Sequence, residues 1–309
     1  MKQRSFLYRF LTYQKERFPF LGHGPLIAMF TFSAVAYSRI CRGAEGFIGW
    51  QDFVVGFIST LGIFLLVRVL DEFKDKDIDA QYRKELPVPR GLVSLGELKW
   101  VGIVTVTIII VAVSTQHPSM LWMLGLVLGY LALMTVEFFS HDWLSARPWV
   151  YAGSHMVIIP LVDLYASGLD WYLDGGNPHL GLVFFFCVSY FNGMVLEVGR
   201  KLKSPEAEKE GVVTYSSLYG VTKGSNILIG FLSLTAATAS VACWYAGLSP
   251  ISYFVLGLAL LAAIVVVLQY KATPIKTKSK RVEIISGIWT LLMYGTLGGI
   301  PGLLNYLLP

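Results

Sequence analysis

A short run of acids between positions 71 and 79 has the clearest potential for chemistry in this chain. The run reads Leu70-Asp71-Glu72-Phe73-Lys74-Asp75-Lys76-Asp77-Ile78-Asp79. It directly follows a long apolar stretch, and we call residues 71–79 the acid segment. Asp71, Asp75 and Asp79 recur every fourth residue, which predicts one stripe on a helix. A stripe of carboxylates repels itself unless a cation lies against it. Mg²⁺ carrying a pyrophosphate would serve, because hard cations bind carboxylate and phosphate oxygens together.

A second group of charged residues follows a later apolar stretch. Glu197, Arg200 and Lys201 are spaced i, i+3 and i+4, so they are neighbours on a helix. Glu197 could complete a metal site, and the two cations could hold phosphate oxygens. Tyr190 and Asn192, about one turn earlier, are expected to face the same cavity. For both groups the alternative is a solvated helix end with ordinary ion pairs. We favour a metal or phosphate site, since acids beyond an apolar span contribute little to membrane topology.

The composition indicates the elements that must position these residues. Of 309 residues, 55% are hydrophobic and 15% are charged, and the mean hydropathy is +0.60, which excludes an ordinary soluble domain. Nine apolar stretches approach the ~20 residues that a bilayer requires. They cover about 25–41, 47–69, 101–116, 120–139, 148–167, 180–196, 226–246, 250–269 and 285–308. We therefore expect an all-α membrane protein, with nine transmembrane helices in a bundle. One membrane domain is expected over residues 1–309, with catalytic cytoplasmic loops at about 70–99 and 197–224. Gly125 and Gly129 form a GxxxG pattern, which is suited to close helix packing.

The basic residues predict the orientation. Of the 25 Lys and Arg residues, 23 fall in the N-terminal segment, which includes Lys2 and Arg4, or in alternate loops. Only Arg39 and Arg42 do not follow this pattern. By the positive-inside rule the N-terminus and the acid segment face the cytoplasm and the C-terminus faces outward. The net charge of +5 is then an orientation signal that requires no nucleic acid. We expect an integral protein of a bacterial plasma (inner) membrane, in contact with anionic lipid.

The motifs resemble those of a known family. Asp71-x-x-x-Asp75-x-x-x-Asp79, followed by Pro87-Val88-Pro89-Arg90-Gly91, resembles the first signature of the UbiA superfamily of intramembrane prenyltransferases. That signature is NxxxDxxxD followed by a PLPSG-like turn. The segment from Gly211 to Gly220 is similar to the stretch after the family's second signature, DxxxD.

The sequence also departs from the family pattern. Asp71 stands where the family has Asn, and Leu86 where many members have Arg. In the second signature Glu197 and Lys201 replace the two aspartates. The interval that follows is longer than usual and contains three further acids, one of which could take the missing role: Glu206, Glu208 and Glu210.

The resemblance implies a chemistry and a set of residues. It implies a Mg²⁺-dependent enzyme that ionises an isoprenyl diphosphate and transfers the prenyl group to a lipophilic acceptor. The metal ligands it implies are Asp71, Glu72, Asp75, Asp79 and Glu197. The diphosphate ligands it implies are Lys84, Arg90, Arg200 and Lys201. The catalytic residues it implies are Asp71, Asp75, Arg200, Lys201, Tyr190 and Asn192.

Two other functions remain open at this point. A terpene cyclase of the same family would use the same diphosphate with no acceptor. A transporter would place its acids near the bilayer midplane. The acids here lie at the predicted edge of a span, which argues against a transporter.

Overall fold

A computed structural model describes residues 5–307, which form helices and their connections. Lys2 and Arg4, which the orientation argument used, lie outside these residues. Nine helical segments among residues 5–307 are long and apolar enough to cross a membrane. They are Phe20–Arg42, Trp50–Lys74, Leu95–Gln116, Pro118–Thr135, Pro148–Trp171, Gly181–Arg200, Tyr215–Tyr245, Pro250–Ala272 and Lys276–Leu307. Each overlaps one predicted stretch, so the expectation of an all-α membrane protein with nine spans is confirmed.

The chain divides into two compact units, and the first comprises Met1–Ala28 and Trp50–Phe139. Its helices are α1 (Phe6–Arg17), the start of α2 (Phe20–Arg42), α3 (Trp50–Lys74), α4 (Lys76–Tyr82), α5 (Leu95–Gln116) and α6 (Leu121–Thr135). Helix α3 packs against α5 and α6. A hydrophobic cluster ties α1 to this unit through the buried side chains of Tyr13, Leu65, Val69 and Leu98. Burial of these apolar groups is what fixes the short helix α1 on its neighbours.

The acid segment is bent, and this differs from the single stripe that its spacing predicts. Helix α3 ends at Lys74, and α4 begins after Asp75, whose φ and ψ are −88° and 6°. Backbone hydrogen bonds continue across the bend: Asp75 N donates to Asp71 O at 2.9 Å and Asp79 N to Asp75 O at 2.8 Å. Glu72 and Asp79 are buried, whereas Asp71 remains 41% exposed in its side chain. Asp71 and Asp79, which the spacing assigns to one stripe, therefore differ in burial.

The connection from α4 to α5 is a tight turn around the proline-rich motif. Helix α4 ends at Tyr82, and Leu92 N donates to Pro87 O at 2.9 Å within the turn. Gly91 has a φ of +76°, a left-handed conformation that glycine adopts without strain. A capping box then starts α5: the Ser94 side chain accepts from Glu97 N, and Glu97 accepts from Ser94 N at 2.8 Å.

The GxxxG pattern on α6 does not mediate close packing, so that expectation is wrong. A Cβ atom added to Gly125 or Gly129 would meet nothing within 4 Å among the described residues. The close approach in this unit occurs instead at Gly62 of α3, where such an atom would lie 2.6 Å from Ile109 Cδ1 of α5. Small residues permit close helix contact only where a neighbouring helix covers them.

The second unit comprises Met29–Gly49 and Ser140–Pro309. Its helices are the remainder of α2, then α7 (His141–Ser145), α8 (Pro148–Met156), α9 (Ile158–Trp171), α10 (Gly181–Arg200), α11 (Tyr215–Tyr245), α12 (Pro250–Ala272), α13 (Lys276–Tyr294) and α14 (Ile300–Leu307). Helix α10 packs against α9, α11 and α13. A π-helical turn, Gly295–Gly299, joins the last two helices and lies against α2, where a Cβ atom on Gly298 would collide with the Ser33 backbone.

An ion network in the second unit accounts for the two basic residues that break the charge pattern. Asp170 is fully buried and accepts from Arg39 Nη1 at 3.0 Å and from Arg42 Nε and Nη2 at 3.1 Å each. The Ser38 hydroxyl donates to the same carboxylate at 2.7 Å, and Arg42 Nη2 donates to Asp174 at 2.7 Å. Both arginines are therefore neutralised within the protein.

Candidate active site

A cavity of about 230 Å³ in the first unit brings together the two parts of the first motif. Its lining residues are Glu72, Lys76, Asp79, Ala80, Val88, Pro89 and Leu95. Glu72 and Asp79 come from the acid segment, while Val88 and Pro89 come from the proline-rich turn. Lys76 contributes a cation that sequence analysis did not nominate. The cavity therefore combines buried carboxylates with an adjacent positive charge.

Glu72 is held by two guanidinium groups. Its Oε1 accepts from Arg17 Nε at 2.6 Å and from Arg68 Nη2 at 3.2 Å. Arg68 lies one turn earlier on α3, whereas Arg17 comes from the last turn of α1. The paired charges explain why a carboxylate can be buried at this position.

Asp79 carries an oxygen that is buried without a hydrogen bond. Its Oδ1 accepts from Arg83 Nη1 at 3.1 Å, but its Oδ2 finds no hydrogen-bond donor in the part of the chain that the structure describes. The nearest ion-pair contact of Oδ2 is Arg17 Nη2 at 4.0 Å. Burial raises the pKa of Asp79, and the charges of Asp75 and Glu72 add to this, while Arg83 and Arg17 oppose it. An unsatisfied buried carboxylate oxygen is costly, and a bound cation would relieve that cost.

Asp71 and Asp75 are more open than the buried pair. Asp71 Oδ2 lies 3.8 Å from Arg68 Nη1. Asp75 occupies the bend and its side chain does not cap α4. Both lie on the same segment as Glu72 and Asp79, so all four carboxylates are close along the chain, although they differ in burial.

The two diphosphate ligands predicted in this unit lie in the turn after α4. Lys84 is exposed. Arg90 makes a two-pronged ion pair with Glu16 of α1, at 3.0 and 2.7 Å. It also donates to the carbonyl oxygen of Glu85 at 2.9 Å. Arg90 would have to exchange these partners before it could bind a phosphate.

Lys74 lies within the acid segment but reaches a different acid. Its Nζ is 2.9 Å from Oε1 of Glu137, which is buried. Glu137, Phe138 and Phe139 all have positive φ, at 49°, 52° and 57°. Three consecutive left-handed residues other than glycine cost roughly 1–2 kcal/mol each. The Lys74–Glu137 ion pair and the edge contact of Phe138 with Tyr130, at 5.5 Å, help to hold this strained run.

The second charged group forms a compact cluster of its own in the second unit. Glu197 Oε2 accepts from Arg200 Nη2 at 2.7 Å, and its Oε1 lies 2.6 Å from Lys201 Nζ. Lys201 Nζ is also 6.0 Å from the centre of the Tyr215 ring, within range of a cation–π contact. The i, i+3 and i+4 contacts are those that the spacing predicts, and they engage both oxygens of Glu197.

Two of the three acids in the long interval have structural partners. Glu206 Oε1 accepts from Lys276 N, at the start of α13, at 2.6 Å. Glu208 accepts from the Thr214 hydroxyl at 2.8 Å and the Ser216 hydroxyl at 2.7 Å, at the start of α11. These contacts stabilise helix N-termini, as acidic and hydroxyl groups generally do. The expectation that one of the three replaces a missing metal ligand finds no support at Glu206 or Glu208.

Tyr190 and Asn192 do not face one cavity, in contrast to expectation. Tyr190 lines an apolar groove of about 240 Å³ with Pro160, Phe186 and Phe191, among others. Asn192 is buried, and its side-chain nitrogen and oxygen have no hydrogen-bond partner among the described residues. Residues two apart on a helix point in nearly opposite directions, which explains the separation.

The first unit contains ligands of the kind that Mg²⁺ prefers, but they do not form a complete metal site. Carboxylate oxygens are the ligands that Mg²⁺ prefers, and Asp79, which lines the cavity, has one oxygen without a hydrogen bond. Within residues 5–307, however, no three His, Cys, Asp or Glu side chains are clustered closely enough to hold a metal ion. A divalent cation would therefore have to draw further carboxylates away from their present arginine partners.

Three arginines that contact the buried acids are not among the site residues expected from the sequence. Arg68 precedes Glu72 by four residues and Arg83 follows Asp79 by four, so helical spacing could have indicated both. No comparable signal exists for Arg17, which is distant in sequence from Glu72.

Comparisons with known proteins agree with the resemblance noted from the motifs. A solved structure described as digeranylgeranylglyceryl phosphate synthase superposes with a TM-score of 0.62 at 15% identity, covering 95% of this chain and 99% of that one. A UbiA homologue from Aeropyrum pernix K1, solved in its apo form, superposes with a TM-score of 0.65 at 12% identity, covering 89% and 96%. At these low sequence identities, the two superpositions show that this chain has the same fold as both structures.

The sequence itself was compared with curated proteins and with protein-family models. No curated protein matches the chain. The model of the UbiA prenyltransferase family matches residues 28–297, which is most of the sequence. The chain therefore belongs to the UbiA prenyltransferase family.

Proposed function

We propose that this intramembrane prenyltransferase is Mg²⁺-dependent, ionises an isoprenyl diphosphate and transfers the prenyl group to a lipophilic acceptor. The observation that carries the proposal is that Asp79, which lines a cavity bordered by both parts of the first motif, has a buried Oδ2 without a hydrogen bond. Carboxylate oxygens beside a cavity to which Lys76 adds a positive charge suit a metal–diphosphate ligand.

The residues of the first unit would bind the charged end of the substrate. Asp79, Glu72, Asp75 and Asp71 are the residues that would hold Mg²⁺, which supplies neutralisation of the leaving diphosphate. Lys76 lines the same cavity and would contact phosphate oxygens directly. Its positive charge would stabilise the transition state, because negative charge develops on the diphosphate as the C–O bond breaks.

The remaining candidates have separate proposed roles. Arg200 and Lys201 would bind phosphate after exchanging Glu197 for the substrate, since both cations are at present paired with it. Tyr190 and Asn192 remain candidates for contact with the prenyl group or acceptor. The apolar spans would exclude water from the allylic cation until an aromatic ring, a lipid alcohol or an alkene captures it.

The orientation is part of the proposal. The distribution of basic residues supports a cytoplasmic N-terminus and a diphosphate site that faces the cytoplasm. We propose a bacterial plasma membrane as its location. A water-soluble diphosphate group would then meet the acid segment at the membrane surface while the apolar tail enters the bundle.

Alanine and amide substitutions in the acid segment test the proposal. Asp75→Ala and Asp79→Asn should each lower turnover by about 100-fold or more, as for other groups that stabilise transition-state charge. Asp75→Ala should leave stability unchanged, whereas Asp79→Asn should also lower the thermal midpoint, because the buried Asp79 pairs with Arg83. Asp77→Ala is the matched control, because Asp77 is exposed on the same segment. Turnover is measured as pyrophosphate release, and folding as the thermal midpoint in detergent. Full activity of Asp75→Ala and Asp79→Asn would exclude the metal assignment.

A terpene cyclase is the second candidate. It is favoured by the second motif, where an ion-paired Glu197 and Lys201 replace two aspartates. A cyclase ionises the same diphosphate but consumes no acceptor. A cyclic hydrocarbon or alcohol formed by purified protein without added acceptor would identify this activity.

A further inference from the structure

Helix α1 contacts the turn and the helix that border the candidate site. Arg9 pairs with Glu97 at the start of α5, at 2.5 and 3.0 Å, and donates to the carbonyl oxygen of Leu92 at 3.1 Å. Glu16 pairs with Arg90 in the proline-rich turn at 2.7 Å. The helix thus joins the two segments that follow the acid segment in sequence.

The last turn of α1 also reaches the two buried carboxylates. Arg17 Nε lies 2.6 Å from Glu72 Oε1, and its Nη2 lies 4.0 Å from Asp79 Oδ2. The Arg17 side chain is 14% exposed, and both acids are nearly inaccessible. We call Glu72 and Asp79 the acid pair. Among the ion pairs of the described residues, the Arg17 guanidinium is the group that contacts both of its members.

A divalent cation at the acid pair would bind the same two carboxylates as Arg17. Arg17 Nε lies 2.6 Å from Glu72 Oε1, so two cations at this position would repel each other. Arg68 and Arg83 belong to the same stretch as the acids and pair at i, i+4. Arg17 comes from another helix, so it can withdraw without distorting the acid segment.

We propose that Arg17 is a tethered counter-cation that balances Glu72 and Asp79 in the absence of metal and leaves when Mg²⁺ with a diphosphate binds. The inference rests on the proposed function, since it assumes that the acid pair binds the metal. Arg17 is a positioning residue: it acts on the carboxylates and not on the reacting atoms. Its departure requires movement of only the last turn of α1, because the buried Tyr13 and the Arg9–Glu97 pair hold the rest of the helix.

The last turn has a contact that would have to break. Phe18 N donates to Gln14 O at 2.9 Å, and Gln14 Nε2 donates to Phe18 O at 2.9 Å. These two hydrogen bonds close the last turn of α1, which contains Arg17. Loosening of this turn is therefore a readout of Arg17 withdrawal that does not depend on catalysis.

Metal binding to the full-length protein tests the proposal directly. Mn²⁺, which is detected by electron paramagnetic resonance, is titrated into wild-type protein and into Arg17→Gln, Arg17→Lys, Lys15→Gln and Asp79→Asn variants. Arg17→Gln removes a positive charge that lies 2.6 Å from Glu72 and 4.0 Å from Asp79, so it should tighten Mn²⁺ binding roughly tenfold. Arg17→Lys, which keeps the charge, and Lys15→Gln, which removes an exposed charge from the same helix, should bind like wild type.

Amide hydrogen exchange supplies the second readout. Adding Mg²⁺ and inorganic pyrophosphate to wild-type protein should speed exchange in the last turn of α1, and Arg17→Gln should exchange fast without either. Slower exchange on ligand addition, or unchanged or weaker Mn²⁺ binding by Arg17→Gln, would overturn the proposal.

The Asp79→Asn variant distinguishes failure of the proposed Arg17 role from failure of the proposed metal site. If wild-type binding of Mn²⁺ depends on Asp79 but not on Arg17, the counter-cation role alone is wrong. If wild-type protein binds no Mn²⁺, or Asp79→Asn binds it equally well, the metal site of the proposed function is wrong, and the role of Arg17 is excluded with it.

Discussion

Replacing Asp170 by Asn would remove the charge that neutralises two arginines in the second unit. Asp170 is fully buried and accepts hydrogen bonds from Ser38, Arg39 and Arg42. Its neighbour Asp174 is 68% exposed and pairs only with Arg42 among the ion pairs of the described residues. The two positions therefore offer a matched comparison of one buried and one exposed carboxylate on the same arginine.

The expected magnitudes follow from burial. Breaking a buried ion pair by removing one partner costs about 3–5 kcal/mol, because the remaining charge is left without compensation. Asn keeps one oxygen that can still accept from Ser38, so we expect the lower end, about 3 kcal/mol, for Asp170→Asn. Asp174→Asn should cost at most about 1 kcal/mol, as is usual for an exposed pair.

Stability is measured on full-length protein in detergent, by following tryptophan fluorescence during denaturant unfolding. Asp170→Asn should shift the midpoint well below that of Asp174→Asn. A double variant that also carries Arg39→Gln should lose less stability than the two single variants added together, because it leaves a smaller unpaired charge. Equal midpoints for Asp170→Asn and Asp174→Asn would refute the assignment of Asp170 as the centre of the network.

Two other predictions concern the second charged group and the close helix contacts. Lys201→Ala should raise the KM for the diphosphate roughly tenfold, the effect of losing one charge-assisted hydrogen bond. Higher activity of Lys201→Asp than of wild type would instead make this position a metal ligand. Gly298→Ala should destabilise the protein by about 1–3 kcal/mol, because the added methyl group collides with the Ser33 backbone. Gly125→Ala should be neutral or stabilising by up to about 1 kcal/mol, since nothing described lies within 4 Å and Ala favours a helix. Thermal midpoints of the two glycine variants compare them directly, and equal loss in both would contradict the packing described.

The nine spans could be predicted because length and hydrophobicity alone determine them. Every predicted stretch overlaps a helix of spanning length. The Glu197 cluster was also accessible, since contacts at i, i+3 and i+4 follow from helix geometry. Both predictions depend only on residues that are close in sequence, for which helix geometry and bilayer thickness relate the sequence to the structure.

The parts that could not be predicted depend on contacts between distant residues. Nothing near Glu72 in sequence indicates that Arg17 binds it. The bend at Asp75 interrupts the expected stripe, and the two buried carboxylates are Asp79 and Glu72, which does not belong to that stripe. The GxxxG pattern wrongly predicted close helix packing, because only the tertiary structure shows whether a neighbouring helix covers the glycines.

The measurement that tests the central claim most directly follows pyrophosphate release by purified protein. The protein is incubated with isoprenyl diphosphates of increasing chain length, with Mg²⁺ or with a chelator, and with or without a membrane lipid extract. The account predicts that pyrophosphate release requires Mg²⁺, is slow without the lipid extract and is faster with it. A prenylated lipid should then be detected by mass spectrometry. Absence of release from every diphosphate under all conditions, or release unaffected by the chelator, would contradict it.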